Sequence, residues 1–483
     1  MSRLVNEAKS AKQFLMINGE KVEATNYASL YSPYSGEEIA QIAMADKKLT
    51  VQAIDAAYNA RGVMAKMPAY HRADILEKVA ALLKEKAIEA AEIITRESAK
   101  PIMFAKAEVA RTIETYKFSA EEAKRIHGET IPFDAAVGGV GRMGYTLREP
   151  IGVIGAITPF NFPMNLVAHK VAPAIAAGNT IVLKPASQTP LSALFIAEIF
   201  EEAGLPAGVL NVITGPGSTV GEAIVEDDRV NMVTFTGSPN VGIGIRNKAG
   251  LKKTTLELGS NSALIIDKDI DIDQIIDRCI MGAFSNQGQV CISLQRVYAH
   301  EKVYEEFVAK FTEAAKKLKI GDPLESDTYI SALISKGEVE RVLGLIEETK
   351  SGHATIAAGG KLQDGILEPT IITDADHTLN ISCQEAFAPV VVVNKVGSVE
   401  EAIEQVNDSR FGLQAGIYTN NVRNALYASQ ELHVGGVMIN DVPTYRVDQM
   451  PYGGVKESGT GREGIKYAVE EMTELKLVVW NQS

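Results

Sequence analysis

The chain has 483 residues, of which 46% are hydrophobic and 23% charged, and carries a net charge of −13. This composition suits a folded protein of about two or three domains and argues against a nucleic-acid surface. Three widely spaced cysteines exclude a disulfide framework, no run approaches the ~18 apolar residues of a membrane span, and seven scattered histidines show no ligand spacing, so neither membrane nor metal is expected.

The N-terminal stretch from Met1 to Glu7 lacks the apolar core of a signal peptide, and a cytoplasmic protein is expected. Phe14-Leu15-Met16-Ile17 reads as a strand entering an Asn18-Gly19 turn, and Ser32 to Gly36 makes a second turn. Residues from about 47 to about 125 are helical in pattern. Within them Ile75, Leu76, Val79, Leu82, Leu83, Ile88, Ala91 and Ile94 recur at helical intervals among charges. From about residue 145 short apolar strands alternate with helices, which predicts a doubly wound parallel sheet. The strands are expected at 153–157, 180–183, 209–213 and 231–235, with a helix from Leu191 to Ala203. A second alternating unit begins at Leu264-Ile265-Ile266 and includes a helix near Val303–Leu318. The chain ends on an apolar strand, Leu475 to Trp480, which needs a sheet or another subunit to cover it.

Five features carry candidate chemistry. Two glycine-rich turns, 215–221 and 236–242, follow strands and could cradle a pyrophosphate or serve as ordinary strand-to-helix turns; neither is a GxGxxG or a Walker loop. Glu257 lies between Leu256 and Leu258, where desolvation would raise its pKa and suit a general base; alternation alone instead points it to solvent. Asn161, just past the strand at 153–157, either donates to an oxyanion or caps its own loop. Cys291 closes the small, polar run Asn286-Gln287-Gly288-Gln289-Val290, a turn suited to presenting a thiol, whereas Cys279 sits among apolar residues as core filling.

Together, TPFNFP (158–163), LKP (183–185), FTGS (235–238), LELG (256–259), NQGQVC (286–291), EAFAP (385–389) and PYGGVKESGTGREG (451–464) resemble the aldehyde dehydrogenase superfamily, in that family's order. The resemblance implies a Rossmann-like cofactor domain (1–122 and 146–254) and an α/β catalytic domain (255–435). It also implies a β oligomerisation arm (123–145 and 466–483), a return segment (436–465), and a homodimer or homotetramer. Carried onto this sequence, Cys291 is the nucleophile, Glu257 the general base, and Asn161 an oxyanion donor together with the Cys291 backbone N–H. Contacts to NAD or NADP fall on Thr158, Pro159, Lys184 and Ser187, on Gly217, Gly221, Thr236, Gly237 and Ser238, and on Leu258, Glu385 and Phe387.

Many NAD-preferring relatives carry a glutamate where this chain has Ser187, and a serine does not repel the 2′-phosphate of NADP. Ser260-Asn261 replaces the usual Gly-Lys, and Ala388 the usual glycine, which we read as packing variations. The loop 439–448 with Cys291-Ile292-Ser293 looks most like the branch that oxidises lactaldehyde and related small hydroxy- or sulfo-aldehydes; a semialdehyde or phosphonoacetaldehyde is the alternative. Phe160, Phe162, Val290, Ile292, Tyr445 and Arg446 are the expected pocket. Arg446 is expected to pair with Asp441 or Asp448 in its own loop, or else to recognise an anionic substituent. A coenzyme A-acylating relative and an inactive binding protein on the same scaffold are disfavoured by the presence of Glu257, Cys291 and Asn161.

Overall fold

The computed structural model describes residues 11–350 and 352–482, so the N-terminal stretch from Met1 to Glu7 lies outside the described residues. Two sheets organise the molecule. The first has eight strands, and its parallel centre runs Lys253–Glu257, Val230–Thr236, Val153–Ile157, Thr180–Lys184, Leu210–Val212. Antiparallel strands finish both edges: the hairpin Leu15–Ile17 and Glu20–Val22 on one side and Gly459–Thr460 on the other. The hairpin turns on Asn18 and Gly19, both at positive φ, as the Asn-Gly pair predicts. Chain order in the centre runs outward one way from Val153–Ile157 and then returns to add strands on its other flank. That reversal opens a crevice at the carboxyl ends of the strands.

The second sheet has seven strands, ordered Thr355–Ala358, Thr370–Thr373, Val390–Val396, Arg296–His300, Ala263–Ile266, Gln414–Tyr418, Gly436–Ile439. All neighbours are parallel except the first pair. The strand Lys253–Glu257 belongs whole to the first sheet, so the expected boundary at 254/255 falls inside it and Glu257 sits on that sheet. Likewise Arg142–Pro150 pairs along its length with Thr473–Asn481, and Thr130–Ile131 adds a third strand. This three-stranded sheet therefore reaches Pro150, past residue 145.

The predicted helical run is four helices, Lys47–Lys66, Ala69–Glu85, Ala87–Ser98 and Ile102–Ala123. Their apolar stripe is buried as the spacing predicts, except that Leu82 is half-buried and Ile88, in the first turn of its helix, is 69% exposed. The helix Asn165–Ala177 is buried at all thirteen positions. A helix apolar nearly all round must lie inside the core, and this one carries His169 and Lys170 there with it. Burying such polar and charged groups is costly unless partners meet them. His169 meets Asp448 and Lys170 meets Glu463. Among the described residues no helix is long and apolar enough to cross a membrane.

Candidate active site

Four strand ends converge on one cleft of about 840 Å³. Thr158 follows Val153–Ile157, Lys184 ends Thr180–Lys184, Thr236 ends Val230–Thr236, and Leu258 follows Lys253–Glu257. Thr158, Pro159, Lys184, Gly217, Gly221, Thr236, Gly237, Ser238, Leu258, Glu385 and Phe387 all line it, together with Phe160, Asn161 and Cys291. Ser187 does not: Ala186 and Gln188 line the cleft, and the Ser187 hydroxyl turns toward the Gly215 carbonyl at 3.5 Å.

The cleft suits a dinucleotide. The turn at 236–242 opens the helix Pro239–Lys248, and Ser238 in front of it makes no side-chain cap, so first-turn N–H groups remain for an anion. The other glycine turn is not an open loop: Gly217–Gly221 winds into a wide helical turn that continues as the helix Glu222–Glu226. The Lys184 ammonium donates to the Pro185 carbonyl at 3.1 Å, and no carboxylate pairs with it among the described residues. Burial pushes its pKa down to about 8. A buried cation without a counter-ion fits a ligand rich in hydroxyls and phosphates.

On the facing side, Glu385 accepts from the Ser260 N–H at 2.8 Å, and burial raises its pKa to about 7 against that bond. Gly259 leaves the carboxylate its room: a Cβ there would come within 2.7 Å of it and Glu385 would have to shift. The unusual Ser260-Asn261 pair is accommodated by local bonds: Asn261 donates to the Ser382 carbonyl and accepts from Ser409. Phe387 meets Phe160 edge to face at 5.7 Å.

The turn before the thiol is left-handed at three successive residues, Asn286, Gln287 and Gly288. For the two non-glycines this costs about 1–3 kcal/mol each, so the surroundings must hold them. Asn286 Nδ2 donates to the Asn161 and Gln289 carbonyls, and Gln287 Nε2 to those of Ala99 and Ala332. Gly288 lies so close to Ala388 that a Cβ would sit 2.0 Å from its carbonyl oxygen. Cys291 emerges half-buried from this turn. Its sulfur is 2.8 Å from the Tyr452 hydroxyl. Burial pushes the thiol up to about 11, while the Tyr452 bond and the Arg446 charge pull the other way.

Asn161 is buried, and its Nδ2 donates to the Gln289 carbonyl at 3.0 Å. An amide nitrogen carries two hydrogens, so one donor remains. Its main-chain carbonyl is held by Lys100 Nζ at 2.6 Å, and Lys100 is itself fully buried in an ion pair with Glu108. Glu257 does not point to solvent as alternation would have it: it is 3% exposed, with no hydrogen-bond partner among the described residues on either carboxylate oxygen. Burial, then the neighbouring Glu463, push its pKa well up; Arg446, Lys170 and Arg462 oppose them.

Arg446 pairs with neither Asp441 nor Asp448. Asp441 is taken by Arg278, and Asp448 by Arg111 and His169. The Arg446 guanidinium instead reaches Glu463 at 2.9 Å and stacks on the Tyr452 ring, 3.6 Å from its centroid. Its Nε is buried without a partner. Although burial opposes it, Lys170 and then Arg446 hold the Glu463 carboxyl well below the usual range. Phe162, Val290, Ile292, Leu413 and Tyr452 pack around Cys291 in a small apolar cluster. Tyr445 stays outside it, 41% exposed. Sequence reasoning missed Tyr452, Glu463, Lys170 and Lys100 as parts of this site; the first two lie within the PYGGVKESGTGREG run, which was the available signal.

The aldehyde dehydrogenase family model matches residues 21–478. A 3-sulfolactaldehyde dehydrogenase of Priestia aryabhattai is 46% identical over 471 residues, covering 97% of this chain and 98% of that one. A lactaldehyde dehydrogenase of Methanococcus aeolicus is 44% identical over 473 residues, covering 97% and 100%. Among solved structures, aldehyde dehydrogenase 21 from Physcomitrella patens, in complex with its reaction product succinate, superposes with a TM-score of 0.96 at 40% identity, covering 98% of this chain and 99% of that one. With the doubly wound sheet, the dinucleotide cleft and the thiol at its edge, these matches show that the chain belongs to the aldehyde dehydrogenase family, NAD(P)-dependent enzymes that oxidise aldehydes to acids.

Proposed function

We propose that this protein oxidises a small hydroxyaldehyde of the lactaldehyde type to its acid, with Cys291 as nucleophile, Asn161 as oxyanion donor and Glu257 as base. The observation that carries the reading is the surroundings of the sulfur. Cys291 borders the dinucleotide cleft on one side and the tight cluster of Phe162, Val290, Ile292, Leu413 and Tyr452 on the other. Such a pocket admits a short carbon chain, and the Tyr452 hydroxyl is the polar group at hand for a substituent. The lactaldehyde relative at 44% identity supports the same choice.

In this reading the Cys291 thiolate adds to the aldehyde carbon, and the charge that develops on oxygen is met by the free Asn161 N–H and the Cys291 backbone N–H. A nicotinamide held in the cleft would supply hydride acceptance at this carbon, and the acyl group would stay on Cys291 as a thioester. Glu257 then takes a proton from the water that attacks the thioester, which releases the acid and the Cys291 thiolate. Unpaired and buried, Glu257 has the raised pKa this task needs, and its presence favours water over coenzyme A as acceptor.

A second reading is sulfolactaldehyde, favoured by the buried, unpartnered Nε of Arg446 beside the pocket and by the relative at 46% identity. We also take the two large sheets as cofactor and catalytic domains, and the enzyme as a cytoplasmic homodimer or homotetramer. Leu475, Leu477, Val479 and Trp480 of the arm, each more than two-fifths exposed, form an apolar strand suited to a second copy.

The test is a panel of lactaldehyde, glycolaldehyde, succinate semialdehyde, sulfolactaldehyde and betaine aldehyde, assayed for NADH and NADPH formation. We expect the highest kcat/KM for lactaldehyde; a preference for betaine aldehyde would overturn the assignment. Cys291→Ala should abolish oxidation and leave dinucleotide binding intact, and retained turnover would remove Cys291 from its role.

A further inference from the structure

We propose that Tyr452 is a further catalytic residue: its phenol hydroxyl donates a hydrogen bond to the Cys291 sulfur and favours the thiolate over the thiol. This rests on Cys291 being the nucleophile. The two atoms lie 2.8 Å apart, and each is delivered by a rigid element. The sulfur follows the left-handed turn 286–288, fixed by the bonds of Asn286 and Gln287. The phenol is 2% exposed, and its main chain exchanges hydrogen bonds with Glu463 in both directions, at 3.0 and 2.7 Å.

The ring is also clamped from its face. The Arg446 guanidinium lies 3.6 Å from the ring centroid, Glu463 holds that guanidinium at 2.9 Å, and Lys170 on the fully buried helix holds Glu463 at 3.0 Å. A cation on a phenol ring draws charge from it and makes the hydroxyl a stronger donor. Arg446 is thus a positioning residue, acting on the sulfur through Tyr452.

The charges around the pair agree. The sulfur faces Tyr452, Arg446, Glu385 and Glu257, which come from three separate segments. Burial, Glu385 and Glu257 oppose the thiolate; the phenol bond is the largest influence in its favour and Arg446 the next. The phenol faces Cys291, Arg446 and Glu257, and burial followed by the nearby thiol keeps it protonated well beyond neutrality. The thiol therefore ionises first, its proton leaving to solvent, and the tyrosine remains the donor. When sulfur bonds to the aldehyde carbon it loses its charge and the hydrogen bond slackens; no proton moves between the two groups.

The experiment uses the full-length enzyme with Cys383→Ser as background, since Cys279 is buried and Cys383 is the other accessible thiol. The rate of iodoacetamide alkylation of Cys291 is followed by peptide mass spectrometry from about pH 6 to about pH 11. Tyr452→Phe keeps the ring and its stacking and removes only the hydroxyl. We expect its midpoint to move alkaline by about one unit, with alkylation near pH 7 slowed about tenfold. We expect kcat/KM for the aldehyde to fall in parallel at neutral pH and to recover at high pH. Replacing Tyr452 with 3-fluorotyrosine, a more acidic phenol, should move the midpoint the other way. An unmoved or acid-shifted midpoint in Tyr452→Phe overturns the proposal, as does an alkaline shift with 3-fluorotyrosine. Turnover that survives complete alkylation of Cys291 would overturn the nucleophile itself, a result distinct from an unmoved midpoint.

Discussion

Asn161 Nδ2 donates to the main-chain carbonyl of Gln289 at 3.0 Å, across 128 residues of sequence. The bond ties the loop after the first parallel strand to the turn that carries Cys291. It also fixes the plane of the amide, so that its remaining N–H has one direction to point. Asn161→Ala should therefore lose both a donor and a strut. We expect kcat to fall about 10²–10³-fold, the usual cost of one oxyanion donor. Dinucleotide affinity, read by nicotinamide fluorescence, should stay unchanged, and a loss confined to that affinity would contradict the role.

Glu257 predicts a pH effect with a definite sign. Burial and Glu463 raise its pKa, so the carboxylate able to accept a proton from water becomes more abundant as pH rises. Thioester hydrolysis should climb with pH through that raised pKa. Glu257→Gln cannot accept the proton, and should slow hydrolysis about 10²–10⁴-fold and flatten the profile. Intact-mass spectrometry should then find acyl-enzyme accumulating during turnover; a normal steady-state rate without it would count against the base.

Much of this site was legible in the sequence because its parts sit at strand ends. Thr158, Lys184 and Thr236 sit at the ends of apolar runs whose length and β-branched content mark a strand, and the doubly wound order brings such ends together, whereas Leu258 follows Lys253–Glu257, a strand too polar to stand out. What escaped was pairing across distance. Lys170 and Glu463 are 293 residues apart, and nothing in either neighbourhood names the other. Arg446 had two acidic residues close in its own loop, and local pairing was the natural expectation. The fold gives both to other cations, Asp441 to Arg278 and Asp448 to Arg111 and His169, and sends Arg446 inward. Glu257 was ambiguous for a different reason: alternation distinguishes the two faces of a strand, but both faces of this one are covered at its carboxyl end.

Ser187 bears on the choice of cofactor. It lies between the cleft residues Ala186 and Gln188, with its hydroxyl turned toward the Gly215 carbonyl. A glutamate at this position is long enough to reach the cleft and would oppose a 2′-phosphate there. Ser187→Glu should lower kcat/KM for NADP by at least about tenfold through like-charge repulsion while sparing NAD. The ratio of the two rates with one aldehyde measures it. Equal losses with both cofactors would instead indicate a packing defect.

Lys184 should make dinucleotide binding depend on pH. Burial lowers its pKa to about 8 in the free enzyme, with no carboxylate nearby to restore it. An anionic cofactor favours the charged ammonium, so the bound state has the higher pKa and binding takes up a proton at alkaline pH. By linkage, affinity is greatest below about pH 8 and falls as pH rises through that value, by up to about tenfold per pH unit until the bound-state pKa is reached. Lys184→Met should bind more weakly at neutral pH, and its affinity should not vary over this window. Fluorescence titration of both proteins across the range separates the cases. A flat wild-type curve would mean that the ammonium does not meet the cofactor's charge. A slope surviving in Lys184→Met would assign the titration to another group, with Glu385 the first to examine because its pKa, raised to about 7 by burial, lies nearest.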